Sequence, residues 1–426
     1  MDIGSANDLE EKMNVTIYPK KLSGKVTVPP SKSVAHRMII AAALAKGKSE
    51  ISNLSSSVDI LATIECMRAL GAEIDLHDNT AVIKGIDNVP EKAVLNCCES
   101  GSTLRFLIPV ACALGVQTTF IGRANLPKRP ITPLTDELPE HGINFDFSKA
   151  EKGDSLPCTV SGKLTSGKYS MSGSVSSQFI TGLLFALSLL EGDSEIVLTS
   201  HLQSKPYVDI TIGTLKEFGV EIAETKDGYF VKGSQKLKPF NGTVEGDYSQ
   251  AAFFEVANSL GSDIDIEGLN VNSFQGDKEI IEICRKMVYN NEKGMKPFDI
   301  DCSDIPDLVP ILTVLATFCD GKSYIRNVAR LRIKECDRLA AMTENINKLG
   351  GKVKAFDDSL EIEGVRSLTG GEVQSFVDHR IAMSMAVVAT KCESPLKILG
   401  AECVSKSYPD FFDVYRSLGG EVSAED

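Results

Sequence analysis

The sequence predicts an α/β fold made of a repeated unit, in which an amphipathic helix ends at a glycine and a short strand follows. In the first copy, Ile60, Ile64 and Met67 recur at helical spacing before Gly71, and residues 72–76 alternate like a half-buried strand. Four later glycines stand at the same place in similar copies: Gly142, Gly219, Gly350 and Gly419. The residue just after a helix often adopts the left-handed conformation that glycine tolerates best, so a recurring glycine indicates recurring helix ends.

The copies predict two domains of three units each. The interval from Gly219 to Gly350 is close to two periods, and a helical pattern over 277–288 fills it as a degenerate copy without the glycine. Each unit is expected to contain a strand, a helix, a strand, a helix and a hairpin. A chain of 426 residues exceeds one ordinary core, which supports two domains. The polar, aperiodic residues 1–12 are expected to be a leader outside the fold.

Composition argues against several classes of function. The net charge of −13 disfavours a nucleic-acid or anionic-membrane surface, which would need a basic face, although it allows a basic pocket. The longest apolar runs, such as 308–319, are too short to span a membrane. The 11 cysteines are odd in number and form no CxxC pair, so we expect reduced thiols and a cytoplasmic location.

Side chains suited to anions gather at the expected starts of three helices, at 31–45, 102–114 and 177–190. They are Lys32, Ser33, Arg37, Gly101, Ser102, Thr103, Arg105, Ser176, Ser177 and Gln178. Free N–H groups and the positive end of the helix dipole attract phosphate or carboxylate at such positions. An isolated Ser or Thr is more simply a helix cap, but three such starts in one chain favour anion sites.

The second half of the chain carries further cations, in the run 330–338, in Asp378-His379-Arg380 and at Lys406. A charge run is usually a solvated helix face. Asp307 precedes the apolar helix expected over 308–319, and taken alone it is more simply an N-cap than a catalytic base.

No cofactor motif is found in the sequence. It contains no GxxxxGKS/T, no GxGxxG at a strand end and no HExxH, and its 5 histidines are not closely paired. We therefore expect neither a metal nor a cofactor. The chemistry that remains is electrostatic catalysis by Lys and Arg, with carboxylates as acid and base.

Taken in order, these segments resemble the 5-enolpyruvylshikimate-3-phosphate (EPSP) synthase family over nearly the whole chain from Met13. The matching segments are Pro30–Ser33 with Arg37, Gly101–Arg105, Arg129–Ile131, Ser176–Gln178, Ser204–Tyr207, Glu245–Asp247, Ile305–Asp307, Lys334–Arg338, Asp378–Arg380 and Lys406. No single segment is decisive, and the specificity lies in the ordered set.

The resemblance implies two domains, each of three βαβαββ units around a pseudo-threefold axis, in an inverse α/β barrel type of fold. One domain comprises residues 31–245, and the other is discontinuous, joining 13–30 to 246–426. The chain is expected to cross between the domains near Pro30 and again near Glu245. The cleft between them is expected to close on the substrates.

The resemblance also implies the reaction, in which phosphoenolpyruvate and shikimate 3-phosphate give 5-enolpyruvylshikimate 3-phosphate and phosphate by addition and elimination. The implied catalytic residues are Lys32, Asp307 and Glu335. Those implied to bind shikimate 3-phosphate are Lys32, Ser33, Arg37, Ser176, Ser177, Gln178, Ser204, Asp307 and Lys334. Those implied to bind phosphoenolpyruvate are Lys32, Gly101, Arg129, Gln178, Arg338, Arg380 and Lys406. The expected partners are these two small molecules, bound by a monomer, with no nucleic acid and no membrane.

Three positions depart from the family pattern. Glu99 and Ser100 precede Gly101, where many relatives have Asn-Ala, so a carboxylate stands beside an expected anion site. Arg330 stands where many relatives have Asn near the shikimate phosphate, and it is expected to add a charge contact. Gly101 leaves room beside phosphoenolpyruvate, which by family analogy suggests sensitivity to glyphosate.

Three alternatives stay open at this point. The UDP-N-acetylglucosamine enolpyruvyl transferases share the fold and the phosphoenolpyruvate chemistry that the resemblance implies. Members of that family usually have Lys-Asn after the first strand and a reactive Cys near the position of Arg129. This chain has Lys32-Ser33 and no Cys between Cys112 and Cys158. A non-catalytic binding protein or a relative of the RNA 3′-phosphate cyclases belongs to a different class. A non-catalytic protein should lack Lys32, Asp307 or Glu335. A cyclase relative should have a more basic surface and a nucleotide-linked His.

Overall fold

The computed structural model describes residues 13–287 and 294–425, so the expected leader and residue 288 of the degenerate copy lie outside the described residues. The helices are α1 Lys32–Leu44, α2 Val58–Ala69, α3 Gly101–Leu114, α4 Thr132–Glu137, α5 Ser177–Leu187, α6 Lys205–Glu217, α7 Tyr248–Ser259, α8 Glu279–Met287, α9 Val309–Thr317, α10 Arg338–Lys348, α11 His379–Ala389 and α12 Phe411–Ser417. Short 3₁₀ turns include Gly276–Lys278, Pro306–Leu308, Ala329–Ile333 and Ala401–Lys406.

The strands are short and evenly distributed along the chain. They are β1 Asn14–Tyr18, β2 Ser23–Thr27, β3 Lys48–Ser52, β4 Glu73–His77, β5 Thr80–Lys84, β6 Lys92–Asn96, β7 Gln117–Ile121, β8 Ile143–Asp146, β9 Cys158–Gly162, β10 Lys168–Met171, β11 Ser194–Leu198, β12 Ile222–Thr225, β13 Gly228–Val231, β14 Gly242–Thr243, β15 Asp263–Glu267, β16 Asp299–Asp301, β17 Lys322–Arg326, β18 Lys352–Phe356, β19 Ser359–Glu363, β20 Gly371–Gln374, β21 Leu396–Leu399 and β22 Glu421–Glu425.

The repeated unit is a four-stranded sheet with the same topology in each complete copy. In one copy β6 and β7 are parallel and flank α3, while β8 and β9 form an antiparallel hairpin, giving the order β6-β7-β9-β8. The orders β10-β11-β13-β12 and β16-β17-β19-β18 repeat it. The predicted α/β repeat is therefore confirmed, and its five glycines all have positive φ, from 81° at Gly219 to 106° at Gly71.

The unit that starts at β2 is degenerate, as the missing glycine predicted. Among residues 13–287 and 294–425, its sheet consists of β2 and β15, and α8 follows them. Two other units borrow a strand that is distant in sequence. β14 completes the sheet β14-β3-β5-β4, and β1 completes β20-β21-β1-β22. The helix-to-strand period alone does not reveal this borrowing.

The chain crosses between the two groups of units at two segments that pair with each other. The Ser31 N–H donates to the Glu245 carbonyl at 2.7 Å, and the Asp247 N–H donates to the Pro29 carbonyl at 2.9 Å. Buried apolar residues form two clusters, one drawn from 35–244 and the other from 15–28 and 251–418. We therefore propose the division into an N lobe, 31–245, and a C lobe, 13–30 with 246–426.

Close helix packing fills the centre of the N lobe. The α3 residues Phe106, Leu107 and Ile108 are at most 1% exposed. A Cβ added at Gly182 of α5 would lie 2.4 Å from the Arg105 carbonyl of α3, so the absent side chain lets the two helices touch. Within the part of the chain that the structure describes, no helix has the length and apolar content needed to cross a membrane.

Candidate active site

A cavity of about 1070 Å³, measured out to its open mouth, lies between the two lobes. Residues at or just before the first turns of three N-lobe helices and three C-lobe helices line it: Lys32, Gly101, Ser177, Asp247, Asp307 and His379. Helix N-termini present unpaired N–H groups and a positive dipole end. The fold thus directs several helix N-termini at one space, which suits it to anionic ligands.

The cavity brings together residues from distant parts of the sequence. Of the residues implied by the family pattern, those lining it are Lys32, Ser33, Arg37, Gly101, Arg129, Ser176, Ser177, Gln178, Ser204, Asp307, Lys334, Glu335, Arg338 and Arg380. Lys406 stands just behind them. Its Nζ is 3.7 Å from Glu335 Oε1 and 3.7 Å from Glu99 Oε2, so it reaches the cavity through a carboxylate.

Arg338 is the centre of the charge network on the C-lobe side. Its guanidinium contacts three carboxylates, with Asp378 at 2.8 Å, Glu335 at 2.9 Å and Asp307 at 3.1 Å. The side chain is 2% exposed, so these pairs are almost fully removed from water. The fork of an arginine can satisfy several acceptors at fixed angles, which a lysine cannot do.

The Asp307 carboxylate faces the cavity and does not cap a helix, so the N-cap interpretation is wrong. Its oxygens accept hydrogen bonds from Arg338 at 3.1 Å, Arg380 at 2.9 Å and the Tyr207 hydroxyl at 3.2 Å. Burial alone would raise the pKa of Asp307, but Arg380, Lys334 and Arg338 more than offset it and hold that pKa below its usual value. Asp307 is therefore ionised at neutral pH.

Glu335 joins the two lobes. Its Oε1 lies 3.7 Å from Arg129 Nη1 of the N lobe, and its backbone carbonyl accepts from Asn125 Nδ2 at 2.7 Å. Burial by itself would raise the pKa of Glu335, whereas Arg338, Lys406 and Arg129 lower it well below the ordinary value. Without ligand, Glu335 is a carboxylate surrounded by cations.

Lys334 is a half-buried residue whose amine has a lowered pKa. Burial lowers its pKa to about 7, and the nearby Asp307 and Glu335 carboxylates offset only part of that effect. An arriving anion would favour the protonated form of Lys334. Binding of an anionic ligand would therefore raise the pKa of Lys334 and keep its amine protonated.

Arg37 is held on the N-lobe side by neutral groups. Its guanidinium donates to the Ser33 carbonyl at 2.6 Å, Thr211 Oγ1 at 2.7 Å and the Tyr207 carbonyl at 2.8 Å. Burial, with no carboxylate among these partners, lowers the pKa of Arg37 to about 9. An uncompensated buried cation is positioned to favour an anion in the cavity.

Gln178 and Arg129 are held by contacts around the start of α3. The Gln178 side chain accepts from Arg105 at 2.7 Å and donates to Ser102 at 2.9 Å. A Cβ added at Gly101 would lie 2.7 Å from Arg129 Nη1, so the glycine gives the guanidinium the space it occupies.

Sequence reasoning missed two residues of this site. Asp59, in the first turn of α2, is buried and pairs with Lys32 Nζ at 2.8 Å. Nothing in its local sequence distinguishes Asp59 from an ordinary first-turn carboxylate. Tyr207 stood within a quoted segment, but only the packing of the lobes shows that its hydroxyl reaches Asp307.

Two further chemical features are notable. Among the described residues, no group of three or more His, Cys, Asp or Glu side chains has the proximity needed to hold a metal ion. All 11 cysteines are unpaired. The polar side chains that line the cavity are cations, carboxylates, hydroxyls, an amide and two histidines.

Known proteins resemble this chain over almost its full length. The sequence profile of the family described as EPSP synthase (3-phosphoshikimate 1-carboxyvinyltransferase) matches residues 17–415. A 3-phosphoshikimate 1-carboxyvinyltransferase of Clostridium beijerinckii is 46% identical, over 96% of this chain and 98% of the relative. That of Clostridium kluyveri is 47% identical, over 96% and 98%.

Solved structures agree with the sequence relatives. An EPSP synthase of Acinetobacter baumannii superposes with a TM-score of 0.81 at 26% identity, covering 97% of this chain and 100% of the other. The fold and the family resemblance deduced from the motifs are confirmed. The chain belongs to the EPSP synthase family and is an enzyme of the 3-phosphoshikimate 1-carboxyvinyltransferase class.

Proposed function

We propose that the cavity transfers the enolpyruvyl group of phosphoenolpyruvate to the 5-hydroxyl of shikimate 3-phosphate and releases phosphate, a step of the shikimate pathway. One observation carries this proposal. A single inter-lobe cavity holds an ionised Asp307 among the cations Arg338, Arg380 and Lys334, and serine hydroxyls with the buried Arg37 line its N-lobe side. Two anionic substrates and one base are what that arrangement fits.

The substrate contacts divide between the two lobes. Those proposed for shikimate 3-phosphate are Ser33, Arg37, Ser176, Ser177, Gln178, Ser204 and Lys334. Those proposed for phosphoenolpyruvate are Gly101, Arg129, Gln178, Arg338, Arg380 and Lys406. Lys32 would reach both, and its salt bridge to Asp59 fixes its amine at the cavity wall. Because the contacts come from both lobes, we propose that substrate binding favours lobe closure.

The addition step needs a base and an acid. Asp307 would take the proton of the 5-hydroxyl group while the oxygen of that hydroxyl bonds to C2 of phosphoenolpyruvate. Glu335 would protonate C3 in the same step. Glu335 is ionised without ligand, because Arg338, Lys406 and Arg129 stabilise its charge. Bound phosphoenolpyruvate brings negative charge to the same cations, which would raise the pKa of Glu335 and let it carry the proton.

The elimination step reverses the proton transfer at C3. Glu335 would take back a proton from the methyl group as the bond from C2 to the phosphate oxygen breaks. The released phosphate carries the electron pair of that bond. Lys32 would stabilise its charge and assist the net transfer of the hydroxyl proton from Asp307 to the phosphate.

A paired acceptor assay tests this function. With phosphoenolpyruvate present, we expect phosphate release with shikimate 3-phosphate and none with UDP-N-acetylglucosamine. Isothermal titration should show binding of shikimate 3-phosphate, and adding glyphosate would report whether the second anion subsite is formed in that complex. Release with UDP-N-acetylglucosamine alone, or no binding of shikimate 3-phosphate, would contradict the proposal.

Arg330 is proposed to hold the phosphate of shikimate 3-phosphate. Its guanidinium donates to Ser204 Oγ at 2.6 Å and to the Ser303 carbonyl, and so spans both lobes. Burial lowers the pKa of Arg330, and its Nε has no hydrogen-bond partner among the described residues. A buried donor without a partner, beside a serine of the cavity wall, can be satisfied by a ligand oxygen.

Replacing Arg330 by Asn should therefore weaken one substrate selectively. We expect KM for shikimate 3-phosphate to rise about tenfold, the value of one charge-assisted hydrogen bond, with kcat and KM for phosphoenolpyruvate within twofold. Arg332→Asn is the matched control, since its side chain pairs with Asp337 outside the cavity. Equal effects on both KM values would remove Arg330 from the phosphate subsite.

We also propose that the enzyme acts as a cytoplasmic monomer. One chain provides every residue assigned to the reaction, so a second copy is not required. The unpaired cysteines fit a reducing compartment. Sedimentation of the purified protein measures its oligomeric state and so tests whether it is a monomer.

A further inference from the structure

Asp277 is a buried carboxyl that lies behind the cavity wall and does not line the cavity. It stands in the turn Gly276–Lys278 and is 4% exposed. Its Oδ2 is 3.0 Å from the Tyr207 hydroxyl, while its Oδ1 has no hydrogen-bond partner among the described residues. The reaction as described above gives this residue no role, so its buried acid group needs an explanation.

The Tyr207 hydroxyl lies between two carboxyl groups. It is 3.0 Å from Asp277 Oδ2 and 3.2 Å from Asp307 Oδ2. A phenol has one proton and can donate it to only one of them. If both acids were ionised, the phenol oxygen would face one carboxylate lone pair to lone pair. If one acid is protonated, that acid can donate to the phenol while the phenol donates to the other.

The surrounding charges determine which acid holds the proton. Asp307 contacts two guanidinium groups, those of Arg338 and Arg380. Asp277 has no ion pair among the described residues. The titratable groups that act on it, from all the elements around it, are Tyr207, Asp247, Cys302, Asp307 and Arg380. Burial and the nearby Asp307 charge raise the pKa of Asp277 to about 7, although Arg380 opposes them.

We propose that Asp277 is a positioning residue for the base: as a neutral acid it donates to the Tyr207 oxygen, so that Tyr207 donates to Asp307 and fixes its orientation. This inference rests on the proposed role of Asp307. The chain of donors runs from Asp277 Oδ2 to the Tyr207 hydroxyl and from that hydroxyl to Asp307 Oδ2.

The chain of donors crosses the lobe interface. Tyr207 belongs to the N lobe, whereas Asp277 and Asp307 belong to the C lobe. The contact is close, because a Cβ added at Gly276 would lie 2.8 Å from Pro206 Cβ and Cγ. Tyr207 can reach the two acids only when these surfaces meet. Lobe closure would therefore also set the orientation of the base.

Ionisation of Asp277 should break the arrangement. An ionised Asp277 accepts the hydrogen bond from the Tyr207 hydroxyl. Asp307 then loses that donor and has a second negative charge nearby. The raised pKa of Asp277 is about 7, so the neutral form is present below that pH and is lost above it. Turnover limited by Asp307 should fall as pH rises through this range.

Asp277→Asn tests the proposal, because an amide can donate to Tyr207 but cannot ionise. We expect the wild type to lose kcat between about pH 6 and pH 9, and the variant to keep most of its kcat across that range. At about pH 6, Asp277→Ala should have a kcat on the order of tenfold lower than the wild type, with both KM values within twofold, and this difference should shrink as pH rises and the wild-type acid ionises. Asp263→Asn, an exposed change in the same lobe, should retain the wild-type profile.

An infrared measurement checks the protonation state without turnover. At about pH 6 the wild type should show the C=O band of a protonated buried carboxyl, and Asp277→Asn should lack it. Absence of that band from the wild type, overlapping pH profiles of wild type and Asp277→Asn, or a loss in Asp277→Asn at about pH 6 equal to that in Asp277→Ala would each overturn the inference. Failure of the wild type to transfer enolpyruvate would instead contradict the proposed function.

Discussion

Replacing Asp307 by Ala is expected to reduce kcat by roughly 10²- to 10⁴-fold, the usual contribution of a general base. The carboxylate is ionised, because Arg380, Lys334 and Arg338 outweigh the cost of burial, and it lies on the wall of the cavity. In the proposed reaction, its removal leaves the hydroxyl of the acceptor without a proton acceptor. The Ser and Arg37 contacts are untouched, so binding of shikimate 3-phosphate should stay measurable by isothermal titration.

Two controls separate chemistry from folding in that experiment. Asp307→Asn keeps the shape of the side chain and removes its basicity, so we expect a similar loss of kcat. Asp263→Ala changes an exposed acid in the same lobe and should leave kcat within twofold. Wild-type turnover in Asp307→Ala would exclude Asp307 as the base.

Replacing Arg338 by Ala is expected to have the largest effect on stability. The substitution leaves Asp307, Glu335 and Asp378 without their shared cation, and breaking such a buried network typically costs about 3–5 kcal/mol. Urea unfolding at about pH 7.5 measures the loss. Arg285→Ala is the matched control, because its pair with Glu282 is exposed and exposed pairs contribute about 0–1 kcal/mol.

The pH dependence of this loss has a definite sign. The pKa values of Asp307 and Glu335 are lowered on folding, so their stabilisation is present above the unfolded values and is lost as pH falls through the folded ones. Without Arg338 these acids are more easily protonated. The difference between Arg338→Ala and the wild type should therefore shrink as pH falls towards about 4, near the ordinary carboxyl pKa. A difference independent of pH would show that lost packing dominates.

Arg338→Lys keeps the experiment informative if the alanine variant does not fold. Lysine retains one positive charge but cannot contact all three acids in the geometry of the guanidinium. We expect a folded protein with a large loss of kcat and a raised KM for phosphoenolpyruvate. An unchanged KM for phosphoenolpyruvate would argue against Arg338 as one of its ligands.

Local sequence patterns were sufficient to predict the repeat and to name most of the polar residues that line the cavity. Gly71, Gly142 and Gly219 mark helix ends because only a residue tolerant of positive φ suits that place, a local rule that needs no tertiary contact. The helix starts at Lys32, Gly101 and Ser177 were also predicted from local sequence, because small polar residues cluster there. Each lies within one residue of the expected bound. Local rules of this kind act over a few residues and can be read directly.

Which polar groups are in contact depends on the tertiary structure and could not be predicted from the local sequence. β14 and β1 complete sheets far from them in sequence, and the helical period contains no information on that pairing. Asp307 looked like a cap until Arg338, Arg380 and Tyr207 were placed around it. Contacts across the two lobes depend on the relative positions of two packed cores. The sequence named the acids and cations, and the packing of the lobes determined the charge and the partners of each.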